Sequence, residues 1–294
     1  MAAGTGTRAR RPLASAPAGA LVVGAIASVQ FGSSLAATLF SRVGPGGTVF
    51  LRLASAMVIL LVVMRPALRG RTREQLALAA LFGLVLAAMN LSFYEALARI
   101  PLGIAVAIEF VGPLGVALAG SRRRLDLLWI ALAVAGILLL TRGSSEPLDA
   151  LGVALALLAG VFWGAYILVN ARVGRAFDDA SGLALAMCVA ALAMLPVGVA
   201  AGGGHLFEPS VLVQGAAVGL LSSVIPYTLE LEALRRIAAS TFGVLMSLEP
   251  AMAALAGFIV LGQQLDARAL TGIALVIVAS LGASRRAAPP PLAL

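Results

Sequence analysis

Beyond its first residues the chain is a succession of apolar runs separated by short polar breaks. A helix needs about 20 apolar residues to cross the hydrocarbon core of a bilayer. Ten runs approach that length: 18–40, 47–64, 76–98, 102–119, 127–140, 151–171, 182–200, 211–231, 241–261 and 269–283. The pattern predicts an all-α integral membrane protein with ten transmembrane helices. The first run follows Arg8, Arg10 and Arg11, as the core of a signal peptide does. It is too long for a cleaved segment and reads as a retained first span.

Charge in the breaks sets an orientation. With the N-terminus inside, sixteen arginines fall in the inner segments, in the groups Arg8 to Arg11, Arg65 to Arg73, Arg122 to Arg124, Arg172 and Arg175, Arg235 and Arg236, and Arg285 and Arg286. Only Arg42, Arg99, Arg142 and Arg268 fall in the outer ones. That bias places both termini on the cytoplasmic side of a bacterial inner membrane. It also supports the count of ten, because a missed span would scramble the alternation.

The chain repeats itself. Glu95-Ala-Leu-Ala-Arg-Ile recurs as Glu232-Ala-Leu-Arg-Arg-Ile at an offset of 137 residues, which also carries Pro113 onto Pro250 and Gly120 onto Gly257. A weaker echo sets Arg42-Val43-Gly44 on Arg172-Val173-Gly174. Five spans per half turn the second copy upside down, so the expected fold is two inverted five-helix repeats with a site between them. The implied parts are an N-terminal tail (1–17), a first repeat (18–141), a linker (142–150), a second repeat (151–284) and a C-terminal tail (285–294).

Polar residues inside the spans mark where a path would run. The first span holds Gln30 and Ser34, and the third Asn90 and Tyr94. Trp163, Tyr166 and Asn170 share one face of the sixth. Ser222, Ser223, Tyr227 and Glu230 lie in the eighth. Glu109 and Glu249 sit near the centres of the fourth and ninth, which are repeat-equivalent. A carboxylate at mid-membrane costs about 3 kcal/mol on insertion scales, so it should face a cavity or a partner. These two acids suit a coupling proton or a substrate ammonium; the alternative is a structural, hydrogen-bonded glutamate. Asn90, Tyr94, Trp163, Tyr166, Asn170, Tyr227 and Glu230 fit the lining of a pocket for a small zwitterion, with helix–helix packing as the plainer reading of each. Gly112 and Pro113, Pro226 and Pro250 are places for a helix to bend, since proline lacks the backbone donor. Arg52 reads as snorkelling to the interface, with an acid partner as the alternative. Glu95 with Arg99, and Glu232 with Arg236, are spaced for local ion pairs.

Composition narrows the class. The 294 residues are 61% hydrophobic and 12% charged, with mean hydropathy +1.04, far from the quarter charged of a soluble domain. The net charge of +8 belongs to the loops, so membrane topology explains it and a nucleic-acid partner is not expected. All 21 basic residues are arginine, which excludes a catalytic lysine. All five aspartates fall in the polar breaks, and the single histidine, His205, sits in a glycine-rich one. Cys188 has no disulfide partner. Nothing in this set resembles a metal cluster, a serine–histidine pair or a phosphate loop, so neither an enzyme nor a cofactor is expected. Gly136 and Gly272 permit close approach of the fifth and tenth spans to a second copy, which makes a homodimer an open expectation.

Several segments carry a family resemblance. Ile108-Glu109-Phe110-Val111-Gly112-Pro113-Leu114, Phe162-Trp163-Gly164-Ala165-Tyr166, Pro226-Tyr227-Thr228-Leu229-Glu230 and Thr241-Phe242-Gly243 through Leu248-Glu249-Pro250 resemble the threonine/homoserine exporters. Those belong to the EamA branch of the drug/metabolite transporter superfamily. The likeness runs from about Val22 to Ala283. It implies a ten-span inner-membrane carrier that exports small amino acids such as threonine and homoserine by proton antiport. In one departure, the chain reads Leu261-Gly262-Gln263 where the family often has Leu-Gly-Glu, so a charge is missing there.

Overall fold

The computed structural model describes residues 16–64, 70–119, 124–141, 148–177, 181–234, 236–237 and 239–284. All regular structure among them is helical: α1 (Ala18–Ala37), α2 (Phe40–Met64), α3 (Arg73–Leu97), α4 (Leu102–Glu109), α5 (Val111–Ala119), α6 (Arg124–Thr141), α7 (Ala150–Ala176), α8 (Ser181–Gly202), α9 (Pro209–Gly219), α10 (Ile225–Leu234), α11 (Ala239–Met246), α12 (Glu249–Leu261) and α13 (Ala267–Ser284). Both tails, most of the linker and several of the loop arginines, Arg65, Arg122 and Arg235 among them, lie outside the described residues.

Seven helical stretches among the described residues are long and apolar enough to cross a membrane, and three shorter apolar ones lie at 102–116, 127–140 and 267–282. The molecule is a multi-pass helical membrane protein. Its exterior is apolar, as the 70% exposure of Val63 and 66% of Val161 show, while Gln30, Arg52, Asn90, Glu109 and Glu249 are buried. This arrangement reverses that of a water-soluble protein and suits a lipid surround.

Helix ends are set locally. Thr72 caps α3 through the Gln75 amide, and Gln75 reaches back to Thr72, a reciprocal capping box. Asp149 accepts from the first amides of α7. Gly262 takes the left-handed conformation (φ 64°) and ends α12, folding the chain back so that the Gln263 amide bonds the Gly257 carbonyl. The Glu95–Arg99 and Glu232–Arg236 pairs both form.

Four predicted spans differ in detail. The fourth and ninth are each broken in two, into α4–α5 and α11–α12. The eighth is α9 and α10 joined by one π turn, Leu220–Val224. The second begins at Phe40 and not at residue 47, passing through a kink at Gly44 (φ 67°) before Pro45. Its N-terminal portion is poor in large apolar residues, so the hydropathy pattern placed the start too late.

Helix α2 packs along α8, α3 along α7 and α8, α1 along α10 and α12, α4 along α12, and α6 along α13. Buried apolar residues of α2, α3, α4, α7, α8 and α12 form one continuous core. Helices α6 and α13 add Leu140, Ala269 and Ile273 at its edge. Their glycines face one another: a Cβ on Gly136 would lie 2.8 Å from the Gly272 carbonyl oxygen, and one on Gly272 would lie 2.9 Å from that of Gly136. The close approach expected to serve a second copy is therefore used within the chain, which removes the reason for a dimer through these helices.

Candidate functional site

Three prolines build the site by removing backbone donors. In the α9–α10 span, Pro226 cannot bond the carbonyls four and five residues before it, those of Ser222 and Leu221. The π turn forms there, with the Ile225 amide reaching the Leu220 carbonyl. The two freed carbonyls are satisfied by side chains from other helices. Ser28 of α1 donates to Leu221 at 2.6 Å, and Arg52 of α2 donates to Ser222 at 2.8 Å. Arg52 also donates to Ser223 Oγ at 3.2 Å and to the Tyr94 hydroxyl at 3.1 Å, with its guanidinium 5.5 Å from the Tyr94 ring centroid. It is only 5% exposed. The snorkelling expected of Arg52 is thus corrected. Because α2 starts at Phe40, Arg52 lies about 18 Å along the helix, too deep to reach an interface.

The other two prolines break helices. Pro113 leaves the Glu109 carbonyl without its helical donor, and Pro250 does the same to Met246. Helix α4 ends at Glu109, and α12 begins at Glu249 with Pro250 in its first turn. The 137-residue offset carries Phe110, the turn of the first break, onto Ser247 in the second. Both acids are therefore the cavity ends of α4 and α12, two half-helices that cross where a Cβ on Gly103 would lie 2.9 Å from Ala254 Cα. The Glu249 carboxylate also sits at a helix N-terminus, where the backbone dipole favours negative charge.

These elements enclose a cavity of about 120 Å³. That holds several waters at about 10–15 Å³ each, and it is well short of the roughly 300–1,000 Å³ of drug-sized pockets. Glu109, Glu230 and Glu249 line it together with Arg52, Asn90, Trp163, Tyr166, Pro226 and Tyr227. Arg52 is within electrostatic reach of Glu109, and Glu249 of both other glutamates. Tyr166 stacks on Phe82 at 5.4 Å, and Trp163 meets Phe110 edge-on at 5.2 Å, so both rings are held from behind. The Asn90 amide is turned back onto the Leu86 carbonyl at 2.8 Å. No lining residue comes from α6, α8 or α13.

Two expected residues stand elsewhere. Tyr94 lies behind the cavity as a support for Arg52. Asn170 shares the helical face of Trp163 but is two turns further along α7 and exposed. Gly112 and Pro113 serve the break and not the lining: a Cβ on Gly112 would lie 1.9 Å from the Gly160 carbonyl oxygen of α7. Sequence reasoning missed Arg52 as a cavity residue, and did not mark Ser33 at all. The available signal was an arginine deep in an apolar run, with a proline-freed serine carbonyl in another span.

Comparison with known proteins gives the site its context. Residues 150–285 match the model of the EamA-like transporter family. The threonine/homoserine exporter RhtA of Salmonella typhimurium is 42% identical over 262 residues, covering 88% of each chain. The protein of the same name from Escherichia coli is 43% identical over the same length and coverage. The chain belongs to the EamA-like transporter family. A more distant relative is the uncharacterized transporter YwfM of Bacillus subtilis, 29% identical over 52% of this chain and 53% of its own. One crystal structure aligns with a TM-score of 0.59 at 16% identity, over 89% of this chain and 95% of that one, a likeness of fold. As an EamA-like transporter the chain has its polar interior where a solute path is needed.

Proposed function

We propose that this EamA-like transporter is a ten-span carrier of the bacterial inner membrane that exports small amino acids such as threonine and homoserine in exchange for protons. In this reading two inverted five-helix units, 18–141 and 151–284, are joined by the 142–150 linker, with both termini cytoplasmic. The helix contacts support the inverted plan, because exchanging the halves maps the most extensive contacts onto one another or onto themselves. The α3–α7 pair becomes α1 with α9–α10, the α3–α8 pair becomes α2–α9, and α2–α8, α4–α12 and α6–α13 map onto themselves.

The observation that carries the reading is the cavity's charge. Two buried carboxylates, Glu109 and Glu249, and the half-buried Glu230 share a small space with one guanidinium between the halves. Uncompensated charge at such a site is costly, so the carboxylates favour a cation, whether a proton or a substrate ammonium. Competition of the two for the same groups is the chemistry of exchange. The volume favours one small amino acid over a bulky drug, and the name of the relatives at 42–43% identity points to threonine and homoserine. Motion would centre on the break at Pro250, with the Gly112-Pro113 break seated on α7 and Pro226 holding the π turn.

The test is uptake of labelled threonine and homoserine into inside-out vesicles with an acidic interior, and again after the gradient is collapsed. Saturable uptake that falls with the gradient is expected; uptake indifferent to it would remove the proton. Glu249→Gln should lower gradient-driven uptake at least tenfold while the protein stays in the membrane. Wild-type coupled transport by that variant would sink the role of Glu249. A channel would show neither saturation nor counterflow.

A further inference from the structure

We infer that Arg52, with Ser222 and Gln30, forms the subsite that holds the carboxylate of the transported amino acid. This rests on the amino-acid export proposed above. It adds a defined polarity to the site: carboxylate toward α2 and the π turn, ammonium toward the glutamates.

Three observations carry it. First, Arg52 is held by neutral groups only, two hydroxyls and one backbone carbonyl, with no carboxylate at ion-pair distance among the described residues. A guanidinium offers five N–H donors in a planar fork. The three bonds on the protein leave two donors, one on each terminal nitrogen, on a side chain that lines the cavity. A buried cation with no carboxylate bonded to it is unfavourable, and a planar carboxylate matches this fork best.

Second, the neighbouring polar groups are unpartnered. Ser222 Oγ and Gln30 Oε1 are buried, line the same cavity and make no hydrogen bond among the described residues. Ser222 is the residue whose carbonyl accepts from Arg52. Its hydroxyl lies against α1, where a Cβ on Gly32 would come within 2.3 Å of it. Buried polar groups are ordinarily satisfied. The Ser222 hydroxyl can donate to a carboxylate's remaining lone pairs, and Gln30 can do so only through its Nε2, its Oε1 being an acceptor.

Third, the two signs of charge come from different elements: Arg52 from α2, tied to the π turn, and Glu109 and Glu249 from the broken ends of α4 and α12. An α-amino acid carries its two charges on one carbon, so a site with a cationic end and an anionic end fixes how it enters. Tyr94 acts through Arg52 as a positioning residue.

The experiment is counterflow in proteoliposomes of the full chain, using labelled threonine with unlabelled threonine or threonine amide as competitor. The amide keeps the ammonium and the hydroxyl and lacks the carboxylate. Wild type should take threonine saturably and be inhibited by the amide at least tenfold more weakly. Arg52→Gln should raise the KM for threonine at least tenfold and bring the two competitors to within about twofold, and Arg52→Lys should fall between. Variants whose gel-filtration profile departs from wild type are replaced in the comparison by Ser222→Ala, which should show the same loss of discrimination to a smaller degree. Unchanged KM and unchanged discrimination in Arg52→Gln would overturn the subsite and leave amino-acid export standing. An equal loss for threonine and amide would assign Arg52 a purely structural role and overturn it too. Absence of saturable threonine and homoserine counterflow in wild type would instead overturn the export reading, and the subsite with it.

Discussion

The two broken helices share a proline and a register, yet they are seated differently. At the α4–α5 break, backbone meets backbone: the Cβ that Gly112 lacks would fall 1.9 Å from the Gly160 carbonyl oxygen, and the one Gly160 lacks 2.6 Å from the Glu109 carbonyl oxygen. At the α11–α12 break the seat is made by side chains. Ser247 and Ser280 share a hydrogen bond at 2.8 Å, and Leu245 stands 4.0 Å from where a Cβ on Gly19 would be. A backbone seam cannot slide without separating two main chains, whereas a side-chain seat can repack by rotamer changes. The difference teaches that the first break is seated at its turn by backbone and the second by side chains, α12 meeting α4 backbone to backbone only further along, at Gly103 and Ala254.

Substitutions can break that comparison, and the largest effect is expected at the backbone seam. Gly112→Ala needs α5 and α7 to move apart, costing about 1–3 kcal/mol or more. Thermal unfolding in detergent should show it, and a melting temperature equal to wild type would mean the break is not seated on backbone. A smaller change is expected at Gln263, whose Oε1 accepts from the Leu102 amide at 3.0 Å and caps α4 from the end of α12. Gln263→Ala should cost about 1 kcal/mol. Gln263→Glu should restore it or improve on it, since a carboxylate suits a helix N-terminus. At the other break Ser247→Ala removes one interhelical bond, worth about 0.6 kcal/mol in membranes; a loss as large as that of Gly112→Ala would make the two seats equivalent.

The smallest effect concerns the loop before α9. Glu208 lies between His205 and Arg42, and the hydrogen bond from His205, followed by the charge of Arg42, holds its carboxyl below the usual carboxylate range. A depressed folded value means that this contribution is present above the unfolded carboxylate value of about 4.3. It is lost as pH falls through the lower, folded value. Glu208→Gln should therefore flatten a slight decline in melting temperature in acid. Salt should erase it, because the group is exposed.

Much of this was legible along the chain. The apolar runs place most of the helices, and Pro113, Pro226 and Pro250 mark the three irregular spans that line the site, because the loss of an N–H is a property of one residue. Glu109, Glu249 and Glu230 stand out for the same reason, as acids where lipid would surround an ordinary helix. Arg52 was misread because its partners lie more than 40 residues away at Tyr94 and 170 away at Ser222. Asn170 was grouped with Trp163 by helical angle, which says nothing about how far along the helix a cavity extends. Gly136 and Gly272 showed that two helices could approach closely, but not that they would approach each other.

The sequence by itself determined that this chain is a membrane-embedded helical protein, which family it resembles, and where its helices must bend. Each of these depends on apolar length, on a contiguous motif or on one missing donor, all local quantities. Only the tertiary structure decided which polar groups share a cavity, that an arginine and three glutamates line it together, and that one break is seated on backbone while its counterpart is seated on side chains. Those outcomes depend on the depth and rotation of each helix against its neighbours, and a period of 3.6 residues leaves both free until the helices pack.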